Sequence, residues 1–283
     1  MKIVNKLISG DGLSQKQMQL ADDGAYIESA YFNLDEHVFC ISSQVGCPLG
    51  CSFCASGSAG FFRNLRAVEI VQQVENIIIS IAPLEYKKLL FSFTGSGEPL
   101  LNYSEVMAAA GFLCEKYDNP RITISTTGVA PDLIRKLARE LPGRQVQLHL
   151  SLHAPDDELR CKLMPNAGNI APALDALEFF AKERRVTPKV NYVLIKGVND
   201  SREQAIELAK LLQSRNVIAK LGRLNPFSGY LPSEQFQMFE EVLSSYGVKS
   251  TRFASIGTDI WSGCGQLRCH LKDHPLPVLY NVD

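Results

Sequence analysis

From residue 37 to residue 254 the chain alternates two patterns. Short runs rich in Val, Ile, Leu, Phe and Thr give way to longer runs whose apolar residues recur every three or four positions. The first pattern predicts strands at 37–43, 88–94, 121–125, 145–152, 189–195 and 217–225. The second predicts helices at 66–82, 104–117, 131–140, 170–183, 201–214 and 233–246. In the first of these helices Val68, Val71, Val74 and Ile78 mark out one apolar stripe. Strand followed by helix, repeated six times, argues for a parallel sheet with right-handed crossovers. With no second dinucleotide-binding-like half, the expected architecture is α/β, a partial (β/α)6 TIM-like barrel. The chain then divides into an N-terminal extension (1–36), the barrel (37–254) and a C-terminal tail (255–283).

A chain of 283 residues, 46% of them hydrophobic, can bury a full core. Its first residues, MKIVNKLISGDGLSQKQ, contain no apolar stretch of the kind that directs secretion, and no later segment gives 18 uncharged apolar residues. The expectation is a cytoplasmic protein that does not cross a membrane. A net charge of -1 does not by itself suggest a nucleic-acid partner. The charge is uneven, however: residues 182–223 hold ten Lys or Arg against four Asp or Glu. That run reads equally as a phosphate-tracking stripe or as an ordinary solvated helix face.

The chemistry gathers at strand ends. Cys47, Cys51 and Cys54 form a Cys-x3-Cys-x2-Cys triplet after the first predicted strand. Three soft thiolates at this spacing can hold three irons of a [4Fe–4S] cube and leave the fourth open to a small molecule. Zinc is the alternative, but it wants a fourth protein ligand, and no second cysteine pair follows. Eight cysteines in such a chain, three of them close together, point to a metal site rather than a disulfide framework. Gly95-Ser96-Gly97-Glu98-Pro99 follows the second strand, Ser125-Thr126-Thr127-Gly128 the third, Ser151-Leu152-His153 the fourth and Asn225-Pro226-Phe227 the sixth. In a parallel barrel these ends open on one face, where active sites form.

Together with Cys40-Ile41-Ser42-Ser43-Gln44-Val45-Gly46-Cys47 and the tail segment Asp259-Ile260-Trp261-Ser262-Gly263-Cys264-Gly265-Gln266-Leu267, these motifs resemble the radical S-adenosylmethionine (SAM) superfamily and, within it, the RlmN/Cfr adenosine methyltransferases. The resemblance runs from about Ile27 to Leu267 and implies a barrel of the radical SAM type. It makes Cys47, Cys51 and Cys54 the cluster ligands and Gly97, Glu98, Ser125, Ser151, Leu152, His153 and Asn225 the SAM-binding residues. Cys264 would be methylated by one SAM, and a second SAM would then yield the radical that activates that methyl group for addition to adenine. Cys40 would resolve the protein–RNA adduct by forming a disulfide with Cys264, and Glu28 would accept a proton. Cys114 reads as a core residue, and Cys161 and Cys269 match no family position.

The implied activity is methylation of an adenine carbon in RNA, C2 before C8, in 23S rRNA or tRNA. The protein would act as a monomer with a reductant such as flavodoxin or ferredoxin. Family members carry a helical N-terminal accessory domain, which the 39 residues before Cys40 lead us to expect is lacking here. The segment usually reading GMGEP reads GSGEP, and only Arg252 remains of the basic run before Asp259. Two other functions remain open: a methylase of the same mechanism acting on a small molecule or peptide, and a non-enzymatic iron–sulfur electron-transfer protein. Only the methylases have a use for both Cys40 and Cys264.

Overall fold

The second strand is built largely from polar residues. β1 (Lys2–Ile8), β2 (Ser14–Leu20) and β3 (Tyr26–Asn33) run antiparallel, and a tight turn leads into β4 (His37–Cys40), antiparallel to β3. β2 buries Gln15, Gln17 and Gln19. Their side chains are satisfied: Gln15 and Gln17 donate to Ser80 Oγ at 2.6 and 2.8 Å, and Gln19 donates to Ser29 Oγ at 3.0 Å. Buried amides bonded in this way escape most of the penalty of leaving water. The computed structural model describes residues 1–83, 87–225, 227–253, 256–263 and 265–273, with the backbone alone for 271–273. Cys264 lies outside the described residues.

A separate small hairpin follows β4. β5 (Gln44–Gly46) leads through the cysteine loop and the one-turn helix α1 (Ala55–Ser58) to β6 (Phe61–Asn64), its antiparallel partner. The repeating units then begin with α2 (Ala67–Ile81), β7 (Leu89–Phe93), α3 (Tyr103–Lys116), β8 (Arg121–Thr126), α4 (Pro131–Glu140) and β9 (Gln145–Ser151). They continue with α5 (Asp157–Leu163), α6 (Ile170–Arg184), β10 (Lys189–Leu194), α7 (Arg202–Leu212), β11 (Ile218–Arg223) and α8 (Phe236–Ser245). β12 (Ser250–Phe253) and the tail helix α9 (Gln266–Asp273) close the described chain. The main sheet has the order β1-β2-β3-β4-β7-β8-β9-β10-β11-β12, and from β4 onward every pair is parallel. Six strand–helix units, β4–α2 to β11–α8, form the expected partial barrel.

Local chemistry sets the helix starts. Pro131 opens α4, its fixed φ suiting the first turn, and Ser201 with Gln204 forms a capping box on α7. The core lies between strands and helices. Phe91, Ile122, Ile124, Leu148, Leu150, Val190, Tyr192 and Leu221, all fully buried, point outward under the helices. Each such side chain stabilises the fold by roughly 1.5–3 kcal/mol. Among the alternate residues of the same strands, which point the other way, Ser92, Thr123, Ser125, His149, Asn191 and Lys220 are polar, beside the apolar Leu90 and Val193. The barrel interior therefore carries polar groups set in an apolar lining.

Candidate active site

Cys47, Cys51 and Cys54 sit on the loop between β5 and α1, and its backbone is laced in place. Cys47 N donates to Gly60 O at 3.1 Å, Cys54 N to Cys51 O at 3.1 Å and Ser52 N to Leu163 O at 2.9 Å. All three thiols are free and line one cavity of about 180 Å³. Burial pushes all three up, Cys47 to about 12, and the neighbouring cysteines add to it for Cys47 and Cys51. Three half-buried thiols crowded together can ionise together only with a cationic partner. Among the described residues no three His, Cys, Asp or Glu side chains could hold a single metal ion. A cube makes a different demand, since each thiolate meets a different iron. Three soft donors on one loop, one face of them open to a cavity, fit a [4Fe–4S] cluster.

The remaining walls of this cavity come from the strand ends. Gly97 lies at φ +109°, and a Cβ there would stand 2.7 Å from both Gln44 Cβ and Ser43 Oγ, so only glycine fits. Its backbone can thus face the cavity. Glu98 is buried; its Oε1 accepts from Leu100 N at 3.1 Å and its Oε2 from Thr127 N at 2.8 Å and Thr127 Oγ1 at 3.1 Å. Burial nonetheless pushes its carboxyl up. An ammonium group on a ligand would meet an acceptor already aimed and dry. Ser125 and Ser151 add hydroxyls at the ends of β8 and β9.

His153 is held in one tautomer. Its Nδ1 accepts from Val193 N at 3.0 Å, which leaves the ring's proton on Nε2. Burial and Arg160 lower its pKa to about 3, so the ring is a neutral donor at any working pH. Two residues missed in the sequence fix these loops. Arg160, 1% exposed, donates to Thr127 O, Ser151 O, Leu152 O and Gly168 O at 2.5, 3.0, 2.7 and 2.9 Å, clamping the ends of β8 and β9. Asn199, fully buried, donates to His153 O and Val193 O, each at 2.8 Å. Leu152 stands apart from its neighbours: its side chain is buried in the core and lines neither cavity.

A second cavity of about 430 Å³ occupies the barrel interior and meets the first at Thr94, Gly95, Ser125 and His153. Cys40, Glu28 and Asn225 line it. Thr94 Oγ1 donates to Cys40 Sγ at 3.4 Å; burial raises the thiol, and Lys16 and Lys220 partly offset that. Glu28 Oε2 pairs with Lys16 Nζ at 2.8 Å, both side chains 4% exposed or less. The same oxygen accepts from Gly265 N at 3.0 Å, and Oε1 accepts from Arg268 N. Lys16 Nζ also donates to Ser262 O at 3.3 Å and Gly263 O at 3.2 Å. Gly265 must be glycine, because a Cβ would collide with the Ser56 backbone nitrogen on the cluster side. The residues flanking position 264 are thus pinned between β3 and α1.

The structure therefore gathers Cys47, Cys51, Cys54, Gly97, Glu98, Ser125, Ser151 and His153 around one cavity and Glu28, Cys40 and Asn225 around its neighbour. Cys114 packs against the core, Cys161 is exposed on α5, and Cys269 Sγ donates to Ala55 O at 3.5 Å. The basic run of residues 182–223 is not one face. Lys182 pairs with Glu178, Arg215 with Asp175 and Glu178, and Arg223 with Glu234, while Lys220 points into the barrel.

Comparison with known proteins agrees with this geometry. Residues 41–209 match the family model described as the radical SAM superfamily. The chain is 36% identical to the Ribosomal RNA large subunit methyltransferase N of Nitrosopumilus maritimus, over 94% of this chain and 80% of that protein. It is 38% identical to the probable dual-specificity RNA methyltransferase RlmN of Thermotoga maritima, over 95% and 79%. A radical SAM methyltransferase from Sphaerobacter thermophilus shares the fold at a TM-score of 0.88 and 36% identity, covering 94% of this chain and 80% of that one.

Proposed function

The chain belongs to the radical SAM superfamily and within it to the RlmN methyltransferases, and from that premise we propose that it methylates an unactivated adenine carbon in RNA. We take C2 before C8 as the position, 23S rRNA before tRNA as the substrate, and a flavodoxin- or ferredoxin-type protein as the reductant. The observation that carries the reading is the junction of two cavities, one bearing three free thiols and the other bearing Cys40 beneath the pinned ends of the tail loop.

The family's cofactors are a [4Fe–4S] cluster and SAM; bound, they supply an electron, a methyl group and a hydrogen-abstracting radical. Cys47, Cys51 and Cys54 would hold the cluster. The Gly97 backbone, Glu98, Ser125, Ser151, the Nε2–H of His153 and Asn225 would orient SAM, and Leu152 would contribute through its backbone. Cys264 would carry the methyl group on sulfur. Cys40, on the wall of the larger cavity, would release the RNA by attacking that sulfur as the sulfur–carbon bond to the base breaks, and the Thr94 hydroxyl together with Lys16 would favour the thiolate it needs. Glu28 would serve twice, anchoring the tail and taking the proton lost from the base.

The test combines nucleoside analysis with trapping. RNA from cells overproducing the enzyme should gain 2-methyladenosine in one RNA class, and Cys40→Ala should accumulate a covalent protein–RNA species. An unchanged nucleoside profile in every RNA fraction, with SAM cleavage intact, would refute the RNA assignment and redirect the search to small-molecule acceptors.

A further inference from the structure

We propose that Asn191 and Lys220, side by side on the inner face of β10 and β11, read the amidine edge of the acceptor base, its exocyclic amine and adjoining ring nitrogen. This rests on the methyltransferase reading and names the residues that choose the base. Asn191 and Lys220 are register partners in the parallel β10–β11 pair, and both line the larger cavity. Asn191 Oδ1 is buried and has no hydrogen-bond partner. An acceptor left in that state inside a folded protein points to a group that arrives from outside. Among the described residues no carboxylate lies within ion-pair distance of Lys220 Nζ; the ammonium lies 4.5 Å from the ring centroid of Phe253. The cavity wall therefore presents an unpaired acceptor beside an ammonium that faces an aromatic ring and no carboxylate.

Adenine complements that pair. Its amine donates to the Asn191 carbonyl, and its ring nitrogen accepts from Lys220. A 6-oxo purine reverses both groups. Asn191 could turn its carboxamide to meet the oxygen, but the ring N–H would then face the Lys220 ammonium, donor against donor. Side-chain amides also accept from the adenine amine in the major groove of DNA, although there the same amide donates to N7 as well. His149, on the same inner face, is kept neutral by burial and by the nearby Lys220, Lys189 and Arg121, so it adds no charge against the base.

The cofactor also carries an adenine, and the experiment separates the two. Holoenzyme loaded with S-adenosylhomocysteine is titrated with adenosine and with inosine by saturation-transfer NMR, alongside Asn191→Leu and Lys220→Met. Adenosine should bind wild type at least tenfold more tightly than inosine, and either substitution should erase that ratio. A wild type that binds neither nucleoside, or both alike, overturns the proposal, as does a variant that keeps the ratio. Formation of 5′-deoxyadenosine from SAM is the control: its loss in parallel would assign the pair to the cofactor's own adenine and also overturn it. If the ratio behaves as expected but no RNA gains a methyl group, the RNA reading falls and the base pocket stands. If RNA is methylated and the ratio ignores both variants, the pocket falls and the RNA reading stands.

Discussion

Lys16→Met should loosen the tail without loosening the barrel. Lys16 and Glu28 lie 2.8 Å apart, each nearly excluded from water. At an effective dielectric of 20 that separation corresponds to a gross attraction of about 6 kcal/mol. Desolvation offsets part of it, and removing one partner of such a buried pair costs about 3–5 kcal/mol, because the other charge is left uncompensated. The cost falls mainly on the tail, since Lys16 also holds Ser262 O and Gly263 O while Glu28 accepts from Gly265 N and Arg268 N. A loss of about 3 kcal/mol in local stability speeds hydrogen exchange of those amides by about 100-fold. Exchange measured by mass spectrometry should show the Gly265 and Arg268 amides quickened by that factor, with the β8 amides unchanged as an internal control. Lys16→Met combined with Glu28→Gln should recover part of the protection, because the buried charge is gone and one oxygen still accepts from the tail. Unchanged exchange at Gly265 and Arg268 would refute the clasp, and uniform acceleration across the barrel would show that the pair stabilises the whole fold instead.

Cys47→Ala, Cys51→Ala or Cys54→Ala should each abolish cluster absorbance and bound iron after anaerobic reconstitution, since two thiolates do not retain the cube. Arg160→Met should lower stability by about 3–5 kcal/mol, because four carbonyls lose their donor, and Arg160→Lys should restore only part in urea unfolding. Burial lowers the Lys220 ammonium from its ordinary 10.5 to about 8. Below pH 8 folded and unfolded chains both hold the proton and the full penalty is present; from pH 8 to 10.5 only the unfolded chain holds it, so stability rises with pH. Lys220→Met should therefore be more stable than wild type by about 3 kcal/mol at pH 7, with the gain vanishing near pH 10.5 in paired urea titrations.

The strand–helix rhythm was legible because it has a period. The predicted helix at 131–140 coincides with α4, and the other five helices agree at their ends to within about three residues. β2 was not legible: SQKQMQL buries glutamines against the polar side of α2, so no apolar alternation marks it. α5 has seven residues, too few for periodicity to register, and β12 is a four-residue edge strand with mostly exposed side chains. The cysteine triplet and strand-end motifs were legible because their chemistry depends on sequence spacing. Arg160, Lys16 and Asn199 were not, because each works by reaching backbone atoms of segments distant in the chain or folded back against it.

Period two also conceals which face of a strand meets water. Asn191 and Lys220 alternate with Val190, Tyr192, Ala219 and Leu221, the same alternation that a half-exposed strand would show. The closing barrel turns that face inward instead. TIM-type barrels usually fill this space with layers of Val, Ile and Leu. Here the described interior carries Cys40, Ser92, Thr123, His149, Asn191 and Lys220 around a cavity of about 430 Å³. A lysine whose burial lowers its pKa to about 8 and an amide oxygen with no partner both weaken the fold. Apolar replacements of similar size are available at both positions, so stability does not account for these side chains. Natural proteins bear such local costs where function needs the group. The strand ends and cysteine loop suit cofactor chemistry, and the polar groups in the floor below them suit the choice of acceptor. Because the two cavities meet at Thr94, Gly95, Ser125 and His153, substitutions deep in the floor should change what is methylated before they change whether SAM is cleaved.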